Sequence, residues 1–286
     1  MRRGLALPAI GLVAAFVRAS FAAPAGNEPL RAAPDGRPLV VAFSDNFRAF
    51  RQFGEPGGIW RTTFGDGHQL GLDRRSLPTN GERELYVDPL LSDSQGNLGF
   101  DPFHIDGNKL EIVATPTPAS MLPRVAGYRY LSGMISSEPS FSQSYGYFEM
   151  RAKLPGGKGL WPAFWLLPKD QSWPPEIDVM ESVGDPSLVY STVHSRMRPA
   201  VEIDAQVTPD DYHTFAVSWD ARRLIWYVDS RKIGEQSTPA DLNKPMFMIA
   251  NLAVGGDWPG DPNGTTAFPA KLAIAYIRAY RFADAR

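Results

Sequence analysis

The chain contains no cysteine. Disulfides, thiolate–zinc sites and thiol nucleophiles are therefore excluded. Histidine is scarce: there are four in 286 residues, and His68, His104, His194 and His213 show no paired ligand spacing. Neither a metal nor a cofactor is expected. Positive charge is not in excess, since 29 Lys and Arg face 31 Asp and Glu for a formal charge of −2. Without a basic stripe, a nucleic-acid partner is not expected. No Gly-x-Ser-x-Gly elbow is present. Long amphipathic helical periods are missing too, and only 238–243 reads as a short helix. The one sustained apolar run, Leu5 to Val17, is too short to span a bilayer.

That run has the form of an export signal. Arg2 and Arg3 precede it, and Ser20-Phe21-Ala22 offers small residues at the positions a signal peptidase inspects. Residues 1–22 are expected to be a signal peptide, which makes the protein periplasmic or extracellular, with no membrane partner once the signal is cleaved. The paired arginines also fit the twin-arginine route. Residues 23–38 are rich in Ala, Pro and Gly and read as a flexible lead-in. From residue 39 to 286 no linker or repeat interrupts what reads as one domain, expected to act as a monomer.

Gly and Pro stand at 26 each, above their averages of roughly 7% and 5%. Between the turns they mark, polarity alternates with period two. In Tyr145–Leu154, Tyr147, Glu149, Arg151 and Lys153 share one face, and Phe148, Met150, Ala152 and Leu154 share the other. Similar strands are expected at 103–105, 109–114, 213–219, 223–228, 246–254 and 272–282. Many short strands without long helices predict an all-β, two-sheet β-sandwich or jelly roll.

The chemistry concentrates in Pro175-Glu-Ile-Asp-Val-Met-Glu-Ser182. A strand puts Glu176 and Asp178 on one face and Ile177 and Val179 on the other. Glu181 has the wrong parity, and a β-bulge around Val179-Met180 would return it to the face of Glu176. Three carboxylates would then line one side of one strand. A retaining glycosidase needs two carboxyls about 5–5.5 Å apart. Two Glu side chains leaning together can reach that from Cα atoms roughly 13 Å apart. Clustered negative charge also raises the pKa of one member, as a general acid requires. An acidic solvent face is the plain alternative. Against it stands the aromatic segment Gly156–Pro168, with Trp161 and Trp165, followed by Trp173. Flat sugar faces stack on such rings. For Trp219 and Trp226, inside apolar strands, core packing is the preferred reading.

Several stretches together resemble glycoside hydrolase family 16, the family of bacterial laminarinases, lichenases, agarases and carrageenases. They are Gln143–Lys153, Leu160–Pro168, Glu176–Glu181, Asn251–Gly260 and, more loosely, Asn80–Tyr86. The resemblance implies a concanavalin-like jelly roll with a concave cleft and a retaining double displacement. It makes Glu176 the nucleophile, Glu181 the acid/base and Asp178 the assisting carboxylate. It also implies that Asn80, Glu149, Arg151, Trp161, Trp165, His194, Asn251 and Trp258 serve substrate binding, with His194 near the acid/base. The Glu-x-Asp-x-x-Glu form is similar to the laminarinase-type branch. Two positions depart from the family pattern. Ala275 stands where members often carry a calcium-binding Asp, and Pro175 replaces the usual Gly. The expected function is endo-hydrolysis of a β-linked polysaccharide, with β-1,3- or β-1,3-1,4-glucan first. A transglycosylase or exopolysaccharide-processing enzyme is the alternative, and a non-catalytic lectin-like domain is a weaker one.

Overall fold

A computed structural model describes residues 28–65 and 72–283. The expected signal peptide lies outside the described residues. Two layers pack face to face, antiparallel except where Glu84–Tyr86 pairs parallel with Tyr130–Ser132. One is a six-stranded sheet in the order Val201–Gln206, Leu188–His194, Glu176–Glu181, Leu160–Pro168, Met246–Val254 and Met134–Ser136. The other, ten-stranded, is centred on Gly146–Lys153, which lies between His213–Trp219 and Ala270–Phe282. All seven strands expected from alternation are present within a few residues. This is the all-β sandwich that the pattern predicts.

Period-two alternation builds the core directly. Phe148, Met150 and Ala152 of one sheet meet Leu160, Phe164, Leu166, Ile177 and Val179 of the other, with Trp219 and Trp226 fully buried among them. Both tryptophans are therefore core residues, as their apolar strands implied. Turns follow the local chemistry. Asp229 and Ser230 both take positive φ, 49° and 65°, the backbone twist that suits a tight hairpin. It joins Arg223–Val228 to Arg231–Ser237.

Two expectations fail here. No helix forms at 238–243. Leu242 N–H bonds Pro239 O in a single turn, and six residues with Pro239 and a flanking Pro245 cannot repay helix nucleation. Nor is the whole of 23–38 a loose lead-in: residues 28–38 are folded onto the ten-stranded sheet. Leu30 N–H donates to Tyr280 Oη at 3.2 Å, and Arg37 pairs with Asp220 at 2.7 Å. Ala33 is buried with Leu39, Tyr147 and Phe282. Composition signalled turns correctly, but a turn-rich segment can still pack.

Candidate active site

Core-facing residues of the six-stranded sheet leave a second face free for chemistry. On Leu160–Pro168, Leu160, Phe164 and Leu166 fill the core, so alternation sends Trp161, Ala163 and Trp165 outward. On Glu176–Glu181 the register confirms the expected bulge. Asp178 pairs with Thr192 and Glu181 with Tyr190, so three steps on one strand match two on its neighbour. Ile177, Val179 and Met180 all point into the core, and Glu176, Asp178 and Glu181 share the outer face. The bulge's carbonyls are anchored. Ser191 Oγ–H donates to Val179 O at 2.9 Å, and Trp226 Nε1–H reaches across the sandwich to Asp178 O at 3.0 Å.

Each glutamate has its own indole donor. Trp173 Nε1–H donates to Glu176 Oε2 and Trp161 Nε1–H to Glu181 Oε1, both at 2.9 Å. His194 is the cross-strand partner of Glu176. Its Nε2 lies 3.1 Å from Asp178 Oδ2 and 3.8 Å from Glu176 Oε1. Through Asp178, His194 is raised to about 9 and stays cationic at neutral pH. Burial pushes Glu181 up to about 8, with the Glu176 charge adding and the Trp161 N–H opposing. Asp178 rises to about 6, first from burial and then from the Glu181 charge. Glu176 is also raised, by burial and by Asp178, while His194 and Trp173 pull it back. The two ends of the strand thus differ. Glu176 and Asp178 sit against a cation, and Glu181 keeps its proton at neutral pH.

The remaining expected site residues divide. Trp258 meets Trp161 edge-on, with centroids 5.6 Å apart, and tilts against Tyr190 at 5.0 Å, forming an exposed aromatic group beside Glu181. Asn80 sits at the rim, its carbonyl accepting Asp257 N–H at 2.8 Å. Trp165 lies on the carboxylate face as the register partner of Asp178. Asn251 is buried and commits its amide to Trp165 and Tyr86 rather than to the open face.

Three expectations need correction. Glu149 and Arg151 belong to Gly146–Lys153 in the other sheet and point away from its core face. Glu149 is 1% exposed, accepts Tyr280 Oη–H at 2.6 Å and lies 3.8 Å from Arg278. It is a structural acid, and neither residue reaches the carboxylate face. His194 adjoins Glu176 and Asp178 rather than Glu181.

Sequence reasoning placed Trp173 among the aromatics near the carboxylates without assigning it a partner, and it left Tyr190 out of the site. Tyr190 shares the parity of His194 on Leu188–His194, so alternation could have found it. Glu176, Asp178 and His194 also form a group with ligand atoms within 4.8 Å of one another, able to hold a metal ion.

A two-sheet jelly roll with an acid, a cation-flanked carboxylate pair and indoles on one sheet face has the build of an O-glycosyl hydrolase. The family model of glycosyl hydrolases family 16 matches residues 102–278, and the chain belongs to that family. It is 38% identical over 247 residues to endo-1,3-1,4-beta-glycanase ExsH of Rhizobium meliloti, covering 85% of this chain and 52% of that protein. The chain thus spans about half the length of that curated relative. Among solved structures, the laminarinase catalytic domain of Thermotoga maritima superposes with a TM-score of 0.68 at 31% identity, over 85% of this chain and 98% of that one. The endo-1,3-beta-glucanase catalytic domain of Thermotoga petrophila gives 0.70 at 30%, over 87% and 100%. Among the described residues, no helix is long and apolar enough to cross a membrane.

Proposed function

We propose that the protein is an endo-acting, retaining glycoside hydrolase that cleaves a β-linked polysaccharide, with β-1,3- or β-1,3-1,4-glucan as its substrate class. The observation that carries this reading is the bulge, which brings Glu181 onto the face of Glu176 and Asp178. Glu176 attacks the anomeric carbon while Glu181 gives its proton to the departing glycosidic oxygen. A glycosyl ester on Glu176 results. Glu181, now ionised, takes a proton from water, and the resulting hydroxyl displaces Glu176 with a second inversion. The cation of His194 favours the ionised form of Glu176. Asp178, raised to about 6, shares the coupled proton and can hold it while Glu176 attacks. The names of the relatives support the substrate class. The N-terminal segment supports export to the periplasm or beyond, and the protein works as a monomer.

Activity on laminarin, lichenan, agarose and carrageenan tests the substrate. Glu176→Gln and Glu181→Gln are each expected to lower kcat by several orders of magnitude without unfolding the protein. Near-wild-type activity in either variant would sink the assignment.

A further inference from the structure

From Trp165 a chain of hydrogen bonds leads away from the carboxylates to a buried acidic pair that the mechanism does not use. An indole N–H can only donate. Trp165 Nε1–H lies 2.8 Å from Asn251 Oδ1, which fixes the orientation of that amide. The amide nitrogen then donates to Tyr86 Oη at 3.0 Å. Having accepted there, Tyr86 directs its own proton to Glu82 Oε2 at 3.4 Å. Glu82 also accepts from Asn80 Nδ2 at 3.2 Å and from Leu77 N–H at 3.1 Å. Three donors converge on it, the pattern of an ionised acceptor.

Glu84, fully buried, lies beside Glu82. Its Oε2 accepts Val254 N–H at 2.7 Å, and its Oε1 has no donor among the described residues. Arg83, between the two in sequence, turns instead to Asp261 at 2.9 Å. Among the described residues no cation acts on Glu82 or Glu84, and two adjacent carboxylates buried this way cannot both ionise. Glu84 has a single donor where Glu82 has three, and the contact between the two carboxyls lowers Glu82 and raises Glu84, so Glu84 is the member that holds the shared proton. Burial raises both acids and the charge of Glu82 raises Glu84 further.

The direction of the whole chain follows. If Tyr86 donated to Asn251 instead, the amide would turn its NH2 toward the Trp165 N–H, placing donor against donor.

We propose that Glu82 and Glu84 form a proton-sharing positioning pair which, through Tyr86 and Asn251, fixes the Trp165 indole on the glycan-binding face beside Asp178. The kinetic consequence rests on the hydrolase reading above; the hydrogen-bond chain itself does not. None of these residues acts on the reacting atoms. Their effect is to hold one wall of the site in place.

The test uses Tyr86→Phe, which cuts the chain, and Glu84→Gln, whose neutral amide can donate to Glu82 as the shared proton does. One readout is the set of indole N–H resonances in a 15N-labelled protein, with Trp165 assigned by its loss in Trp165→Phe. The other is the split between KM and kcat on the best glycan. Tyr86→Phe is expected to shift the Trp165 resonance and leave those of Trp219 and Trp226 in place. It should raise KM about tenfold, the loss of one buried hydrogen bond, with kcat little changed. Glu84→Gln should match the wild type in both readouts. Should Tyr86→Phe fail to fold, Glu84→Met removes the donor at similar volume and is expected to move the same resonance. An unmoved Trp165 signal in a folded Tyr86→Phe or Glu84→Met variant overturns the proposal. So does Glu84→Gln behaving like Tyr86→Phe. If the wild type cleaves none of the glycans, the hydrolase reading fails, and the indole spectrum still decides the positioning pair.

Discussion

Replacing His194 by Gln tests the electrostatic division of the site. Glutamine keeps an amide donor for Asp178 and removes the charge. The imidazolium nitrogen lies 3.8 Å from Glu176 and 3.1 Å from Asp178. At such distances two unit charges interact by about 4 kcal/mol at an effective dielectric constant near 20. The His194 side chain is 36% exposed, and solvent screening reduces this to roughly 1.5–2 kcal/mol. That equals a little more than one pKa unit. The sign is fixed, because His194 favours the ionised carboxylates, so its loss raises them. The acidic limb of the kcat/KM profile reports the Glu176–Asp178 pair in the free enzyme. It should move up by about one unit. The alkaline limb, set by proton loss from Glu181 near 8, should stay in place, since His194 is not among the groups that shift Glu181. The profile therefore narrows from the acid side only. Initial rates on soluble glucan across a pH series measure both limbs. An acidic limb that moves down or stays, or a shift confined to the alkaline limb, would refute the argument and return His194 to the acid/base.

Other outcomes follow from the same geometry. Trp226→Phe removes the indole donor to Asp178 O; it should cost about 1–3 kcal/mol of stability in chemical denaturation and lower kcat, and a variant as stable and active as wild type would show that the bulge needs no anchor. Proton NMR of early products should show the β-anomer first, whereas an initial α-anomer would mean inversion and a wider carboxyl separation. Azide should rescue Glu181→Ala on a substrate with an activated leaving group and give a β-glycosyl azide, while Glu176→Ala should yield the α-product; the reverse pairing would exchange the two roles. Because Ala275 cannot supply a carboxylate oxygen, a chelator is expected to change the melting temperature little, and a large loss restored by calcium would refute this.

Alternation revealed which residues share a face, and it erred where the question was which sheet the face belongs to. Glu149 and Arg151 sit on the polar side of their strand, as the pattern implied. That strand lies in the ten-stranded sheet, so its polar side points away from the six-stranded layer. Period two carries no information about layer assignment, because both sheets of a sandwich turn an apolar side inward. The carboxylate strand was legible for a different reason. The parity break between Asp178 and Glu181 makes no sense for a plain acidic face, and glycoside chemistry supplied the demand that a bulge satisfies. Asn251 fell between the two cases. Its strand and face were readable, but its amide partners, Trp165 and Tyr86, come from distant parts of the chain, and no local pattern announces them.

Trp226 shows how core and site are joined in this fold. Its ring is wholly buried, as an apolar strand predicts, yet a buried indole N–H needs an acceptor. The partner it finds is the carbonyl of Asp178, at the point where the strand departs from regular pairing. A bulge frees backbone groups that a regular ladder would satisfy. In a buried layer those groups must be bonded from elsewhere. Ser191 supplies one donor from the neighbouring strand, and Trp226 supplies the other from the opposite sheet. The irregularity that brings Glu181 onto the face of Glu176 is therefore held from below by the sandwich. A core tryptophan on the opposite sheet thus helps hold the two glutamates on one face, the arrangement that the proposed retaining mechanism needs.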